Sequence, residues 1–161
     1  MDTDMVMGMV MDMEKKMKEV NIHEYLPVLI DIINSGKDVN LLVTGSSMHP
    51  FLCHKRDTII ISKPSSPFKR GDMVFYQRDN GQYIMHRIHH IKDHQLYIVG
   101  DNQVEIEGPI RVDQVFGIIN KVIRKGKLIQ KGDFWFEFFA HIYIIIPLRP
   151  FIRKIYSLFN K

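Results

Sequence analysis

Between Asn21 and Ser35, apolar residues recur at three- and four-residue spacing: Leu26, Leu29, Ile30 and Ile33. That spacing lines one face of a helix. Pro27 suits its first turn, and Gly36 stands where a helix ends on a left-handed residue. The period then changes. Val39–Thr44, Asp57–Ser62, Asp72–Gln77, Tyr83–Ile91, Gln95–Val99 and Val115–Arg124 are short runs rich in Ile, Val, Tyr and Phe. Turn clusters separate them: Lys63-Pro64-Ser65-Ser66-Pro67, Arg70-Gly71-Asp72, Asp79-Asn80-Gly81 and Lys92-Asp93-His94. Asp79-Asn80-Gly81 marks a hairpin between runs 72–77 and 83–91. Short strands at close spacing predict a mainly β domain, an antiparallel barrel-like sheet, with a helix near 25–35 in front of it.

After Asp133 the alternation stops. Phe134 to Leu148 is almost wholly apolar and aromatic, interrupted by Glu137 and His141. Pro147, Arg149 and Pro150 follow, then Phe151-Ile152-Arg153-Lys154. About 20 uninterrupted apolar residues are needed to cross a bilayer, and this segment falls short. Aromatic residues beside Arg and Lys predict a helix within 134–160 lying on a membrane surface through residues 134–159, with Arg149, Arg153 and Lys154 facing anionic lipid. A helix packed on the β domain or on a partner is the alternative. At the other end, residues 1–19 hold seven methionines interleaved with Asp, Lys and Glu. They lack an apolar core of about 7–15 residues, so neither a signal peptide nor an N-terminal anchor is expected. The chain therefore divides into a flexible Met-rich leader (1–20), a β-rich domain with its leading helix (21–132) and an aromatic, basic helical segment (133–161).

Composition narrows the picture little. A chain of 161 residues is of single-domain length. Its net charge of +4 and pI of about 9.1 suit an anionic membrane surface or nucleic acid without naming either. The first 38 residues show no helix-turn-helix pattern, and no nucleic-acid partner is expected. One cysteine, Cys53, excludes an internal disulfide.

The candidate chemistry lies on the turns. Thr44-Gly45-Ser46-Ser47-Met48-His49-Pro50 follows an apolar run. Gly45 lets the backbone bend, and Pro50 fixes its neighbour, so a serine between them is presented on a tight turn. In run 83–91, alternation puts Ile84, His86, Ile88 and His90 on one face and Tyr83, Met85, Arg87 and His89 on the other. A histidine among isoleucines is partly desolvated and stays neutral, the state a general base needs. Gly100-Asp101-Asn102-Gln103, with Glu105 and Glu107 after it, places carboxylates where one could orient that histidine.

Four motifs thus stand in order: Gly45-Ser46-Ser47-Met48-His49-Pro50-Phe51-Leu52, Arg70-Gly71-Asp72-Met73-Val74, His86-Arg87-Ile88 and Gly100-Asp101-Asn102-Gln103. Over about residues 38–120 the chain resembles the signal peptidase I family and the related self-cleaving repressors of the SOS response. The resemblance implies a β-rich catalytic fold and a serine endopeptidase. It makes Ser47 the nucleophile. His86 stands where the bacterial branch has a lysine, so the chain resembles the histidine-base branch of archaea and the endoplasmic reticulum. It implies Asp101 or Glu107 as the acidic partner, and it implies processing of signal or leader peptides without a cofactor. Together with the C-terminal segment it suggests a membrane-associated protein of a prokaryotic cell, with a cytoplasmic location as the alternative.

Three rival readings remain open. One is a catalytically silent binding module of the same fold. Another is a cytosolic regulatory peptidase. The third is a metal site drawn from His49, Cys53, His54, His86, His89, His90 and His94, whose spacings fit no strong zinc pattern. A nucleophilic role for Cys53 has no surrounding motif. No metal is expected.

Overall fold

The computed structural model describes residues 22–65 and 67–159, so the Met-rich leader lies outside the described residues. Helix α1 (Ile22–Asn34) sets Leu26 and Ile33 into the core. It begins at Ile22, within the expected span, so Pro27 stands past the first turn, inside the helix. It ends as Gly36 foretold. Gly36 has φ +87°, its N–H reaches the Ile33 carbonyl at 2.9 Å, and Lys37 N–H reaches Ile32 at 3.3 Å. That pair of bonds satisfies carbonyls the helix leaves open.

Eight strands follow: β1 (Val39–Leu42), β2 (Thr58–Ser62), β3 (Met73–Gln77), β4 (Tyr83–Lys92), β5 (Gln95–Val99), β6 (Glu107–Ile110), β7 (Val115–Arg124) and β8 (Lys127–Gln130). All pair antiparallel, in the order β1-β2-β7-β3-β4-β5-β6, with β8 on β7. The mainly β, antiparallel architecture is the expected one. The β3–β4 hairpin closes where Asp79-Asn80-Gly81 placed it, with Arg78 N–H on the Gln82 carbonyl at 2.8 Å. Strands β6 and β8 were not expected. β6 contains Gly108 and Pro109, poor strand formers. β8 is reached through Lys125 and Gly126, at φ +51° and +75°, a two-residue hairpin whose first residue does not advertise a turn.

The sheet coils around two cores, and β3 is the wall between them. Met73 and Phe75 face a large cluster with Phe51, Leu52, Ile59, Ile61, Ile119 and α1. Val74 and Tyr76 face a smaller one with Ile88, Leu96, Ile98, Ile110 and Val115. Alternation along a buried strand produces this: successive side chains point to opposite sides, and both sides are covered.

The C-terminal segment is not one helix. Helix α2 (Phe134–His141) and helix α3 (Arg149–Phe159) are separated by a break that bends the chain 113°, with a short 3₁₀ turn at Ile146–Leu148. Pro147 and Pro150 lack the N–H a continuous helix would need there. Among the described residues, no single helix is long and apolar enough to cross a membrane. Helix α2 seals the larger core with Phe136, Phe139 and Ala140. Phe139 stacks near Phe51, ring centres 4.8 Å apart. The helix comes so close to Gly71 (φ +92°) that a Cβ there would meet the Ala140 carbonyl oxygen at 2.6 Å.

Candidate active site

The Ser47 turn lies in the connection from β1 to β2. Gly45 has φ +88°, outside the comfortable range of other residues, and its N–H reaches His54 Nδ1 at 2.9 Å. The His49–Pro50 bond is cis. Met48, Phe51 and Leu52 are buried in the larger core, which pins the turn from below. Ser47 itself is half-buried. Its backbone N–H donates to no described group, so it is free to meet a developing oxyanion.

The Gly100–Gln103 turn packs directly on this serine. Asn102 N–H donates to the Ser47 carbonyl at 2.8 Å. A Cβ on Gly100 would stand 2.7 Å from that same oxygen, so only glycine fits. Arg87 pairs with Val99, the last residue of β5, so His86 and Gly100 each stand one residue beyond that pair. His86 also pairs with Val74 of β3, whose side chain faces the smaller core. No hydrogen bond joins the Ser47 hydroxyl to the His86 ring among the described residues.

His86 is 3% exposed, and its Nδ1 is buried without a hydrogen-bond partner. Burial disfavours the imidazolium and pushes its pKa from 6.5 to about 4. Glu107 and, more weakly, Asp101 pull the other way, and Arg78 adds to the depression. The ring is therefore neutral near pH 7 and binds a proton more weakly than a free imidazole.

Both candidate carboxylates are held by arginines. Asp101 takes Arg87 Nε and Nη2 at 3.0 Å each, and neither side chain has any exposure. Arg87 also reaches the Gly71 carbonyl at 2.9 Å and lies over the Phe51 ring. Asp101 thus ties β4 and the Arg70-Gly71-Asp72 turn to the Ser47 turn. Glu107 takes Arg78 at 2.7 and 2.6 Å and the Tyr76 hydroxyl at 3.0 Å. The Arg78 hydrogen bonds hold it below the usual carboxylate range, with a further contribution from Tyr76. Neither carboxylate bonds to His86, and Glu107 has the larger electrostatic effect on it. Tyr76 and Arg78 could not be read from local pattern, because their contacts with Glu107 span 31 and 29 residues.

His90 does not share the face of His86, as strict alternation implied. The register shifts between Ile88 and His90, so His90 pairs with Tyr97 and stacks on it at 4.4 Å. Tyr97 stands between Leu96 and Ile98, which face the smaller core, so it and His90 point away from that core. His89 Nδ1 lies 2.9 Å from His90 Nδ1. Among the described residues, no three His, Cys, Asp or Glu side chains converge as metal ligands.

The Peptidase S24-like family matches residues 5–123, from ahead of α1 to the end of β7. The chain belongs to that family. The S24-like match covers Ser47, His86, Asp101 and Glu107 and supports a serine-peptidase type of fold. Among curated proteins, none matches the chain significantly.

Residues past the S24-like portion nevertheless hold the site. Arg124 Nε donates to the Phe51 carbonyl at 2.8 Å and Nη2 to that of Pro50 at 3.4 Å, and Nη2 also meets the Tyr156 hydroxyl. Arg149 is 2% exposed. Its Nη1 donates to the Gly100 carbonyl at 2.9 Å and also to that of Gln103, and its Nε to that of Tyr143 at 2.9 Å. Burial lowers its pKa. This corrects the expectation that Arg149 faces lipid: its guanidinium is turned inward onto backbone carbonyls. Arg153 reaches the Tyr143 hydroxyl at 2.7 Å and the Asp101 carbonyl at 3.4 Å.

Proposed function

We propose that this protein is a serine endopeptidase of the signal-peptidase type, in its histidine-base branch, and that it processes leader or signal peptides at a membrane surface. The observation that carries the reading is the Ser47 turn seated on the Gly100–Gln103 turn by the Asn102 hydrogen bond, in a fold that also holds a buried, neutral imidazole at His86. A serine hydroxyl attacks a peptide carbonyl poorly until a base removes its proton. His86 takes the proton from Ser47 Oγ as the Oγ–C bond forms, and returns it to the leaving amine as the C–N bond breaks. Water then repeats the sequence on the acyl-enzyme. The Ser47 N–H faces the oxyanion, a contribution of roughly 3–4 kcal/mol per donor. Catalytic hydrogen bonds are often long before substrate arrives, so the unjoined Ser47 hydroxyl is compatible with this chemistry. Glu107 is the better placed of the two carboxylates to stabilise the imidazolium, since its charge acts on the ring more strongly than that of Asp101.

Support for the membrane surface comes from α3. Phe151 and Leu158 are each 68% exposed, with Ile155 between them on one helical face. Lys154 is exposed beside them. A basic helix with an open apolar stripe suits an anionic lipid interface.

The test is cleavage of an extended peptide and labelling by a fluorophosphonate probe. Ser47→Ala abolishes both with the fold intact, and His86→Ala lowers turnover by a factor of about 10²–10⁴. A Ser47→Ala protein that still cleaves refutes the assignment. A second reading, the silent binding module, is favoured by one observation: Asp101 and Glu107 are both bonded to arginines and neither to His86. Wild-type protein that neither cleaves nor labels supports that reading.

A further inference from the structure

The site consists of two turns pressed together, and neither is held by its own strand alone. The Ser47 turn presents the carbonyls of Pro50 and Phe51 to Arg124, whose Nη2 is shared with the Tyr156 hydroxyl. The Gly100–Gln103 turn presents its first and last carbonyls to a single nitrogen of Arg149. The Asp101 carbonyl receives Arg153. Tyr156, Arg149 and Arg153 all belong to α3, so one helix reaches both halves of the site. The match to the family stops at residue 123, before any of these residues.

These contacts are unusual for a surface helix. Arg149 is nearly sealed, a costly position for a guanidinium unless its hydrogen bonds hold something in place. Its Nε and Nη1 donate to three backbone carbonyls and, among the described residues, to no carboxylate, while its Nη2 is buried without a hydrogen-bond partner. Two of those carbonyls bracket Asn102, whose N–H is the bond that seats the Ser47 carbonyl. Displacing the Gly100–Gln103 turn would move the floor under the nucleophile. Misplacement of this kind can cost about a hundredfold in rate when the reacting groups no longer meet.

The geometry points to α3 as a positioning element of the site: through Arg149 it locks the Gly100–Gln103 turn, and through Tyr156 and Arg124 it locks the Pro50–Phe51 carbonyls. The two turns around Ser47 are thereby held by residues beyond the matched portion of the chain, which ends at residue 123. This rests on the peptidase reading for its kinetic consequence, and not for its structural one.

The experiment uses the full-length chain with Arg149→Met, Arg149→Lys and Tyr156→Phe. Three readouts are followed: amide hydrogen exchange at Asn102 and Gln103, the rate of fluorophosphonate labelling at Ser47, and kcat and KM on an extended peptide. Arg149→Met is expected to speed exchange at Asn102 about tenfold or more while amides of β3 and β7 keep their protection. Labelling and kcat fall by about 10- to 100-fold with KM nearly unchanged. Arg149→Lys, which keeps a cation and one donor direction, recovers part of each. If Arg149→Met does not fold, Arg149→Lys carries the exchange test at Asn102, and Tyr156→Phe, which removes one hydroxyl from a half-buried ring, is read at the Leu52 amide of the Ser47 turn. Unchanged exchange at Asn102 in a folded Arg149 variant overturns the proposal. Wild-type protein that does not label overturns the peptidase reading instead, and exchange at Asn102 still decides the role of α3.

Discussion

Replacing Asp101 by Asn separates a structural carboxylate from a catalytic one. The Arg87–Asp101 pair is fully enclosed, with two hydrogen bonds of 3.0 Å. Asn keeps the shape and one acceptor but removes the charge, leaving the Arg87 guanidinium buried beside a neutral group. Breaking one side of a buried pair costs about 3–5 kcal/mol. A domain of this size has a total stability of about 5–15 kcal/mol. With a urea m-value of about 2 kcal/mol per molar, a loss of 3 kcal/mol lowers the midpoint by about 1.5 M. The single tryptophan, Trp135, reports the transition by fluorescence, and circular dichroism checks it. The pair Arg87→Met with Asp101→Leu, which removes both charges, is expected to recover much of the loss. Its coupling to the single variants is about 2 kcal/mol or more. An Asp101→Asn protein within about 1 kcal/mol of wild type refutes the reasoning. If that stable variant were also inactive, Asp101 would be acting on His86 after all.

The remaining predictions concern the base, the seat of the nucleophile and the helix face. The unfolded chain protonates His86 near 6.5 and the folded chain near 4, so U binds more protons between those values. Stability is therefore full above pH 6.5 and falls by up to about 3 kcal/mol as pH drops toward 4. Urea midpoints of wild type minus His86→Leu across that range isolate this loss from that of Glu107, and parallel curves refute it. Gly100→Ala forces a Cβ to within 2.7 Å of the Ser47 carbonyl oxygen. It is expected to cost about 1–3 kcal/mol and to slow Ser47 labelling in the folded protein, and normal labelling counts against the packing described. Phe151→Ser with Leu158→Ser weakens co-sedimentation with phosphatidylglycerol-containing vesicles by about ten- to a hundredfold, and equal binding rejects a lipid-facing α3.

Much of the fold was legible because β alternation is a local signal. The runs around Ile59, Val74, Ile88, Ile98 and Ile118 announce themselves within a few residues. β6 was not legible because Gly108-Pro109 speaks against a strand, and its place is set by pairing with β5. The face of His90 was misread because a one-residue bulge resets the alternation, and nothing in Ile88-His89-His90 signals it. For the site, the order of the Ser47, Arg70-Gly71-Asp72, His86-Arg87 and Gly100-Asp101-Asn102 stretches was visible. What Asp101, Glu107 and Arg149 bond to was not. Their partners lie 14, 29 and 49 residues away, and charge alone does not choose between a histidine, an arginine and a carbonyl.

The ties that hold Ser47 share one property. Arg124 reaches back 73 residues to Phe51, and Arg149 reaches back 49 to Gly100. Contacts of such separation form late, after the entropy of closing long loops has been overcome. The sheet closes over similar spans, Thr58 pairing with Ile123, so the seat of the nucleophile and the sheet draw on the same long loops. A partly opened molecule that has lost the Arg124 and Arg149 bonds keeps its serine but not the packed turns beneath it.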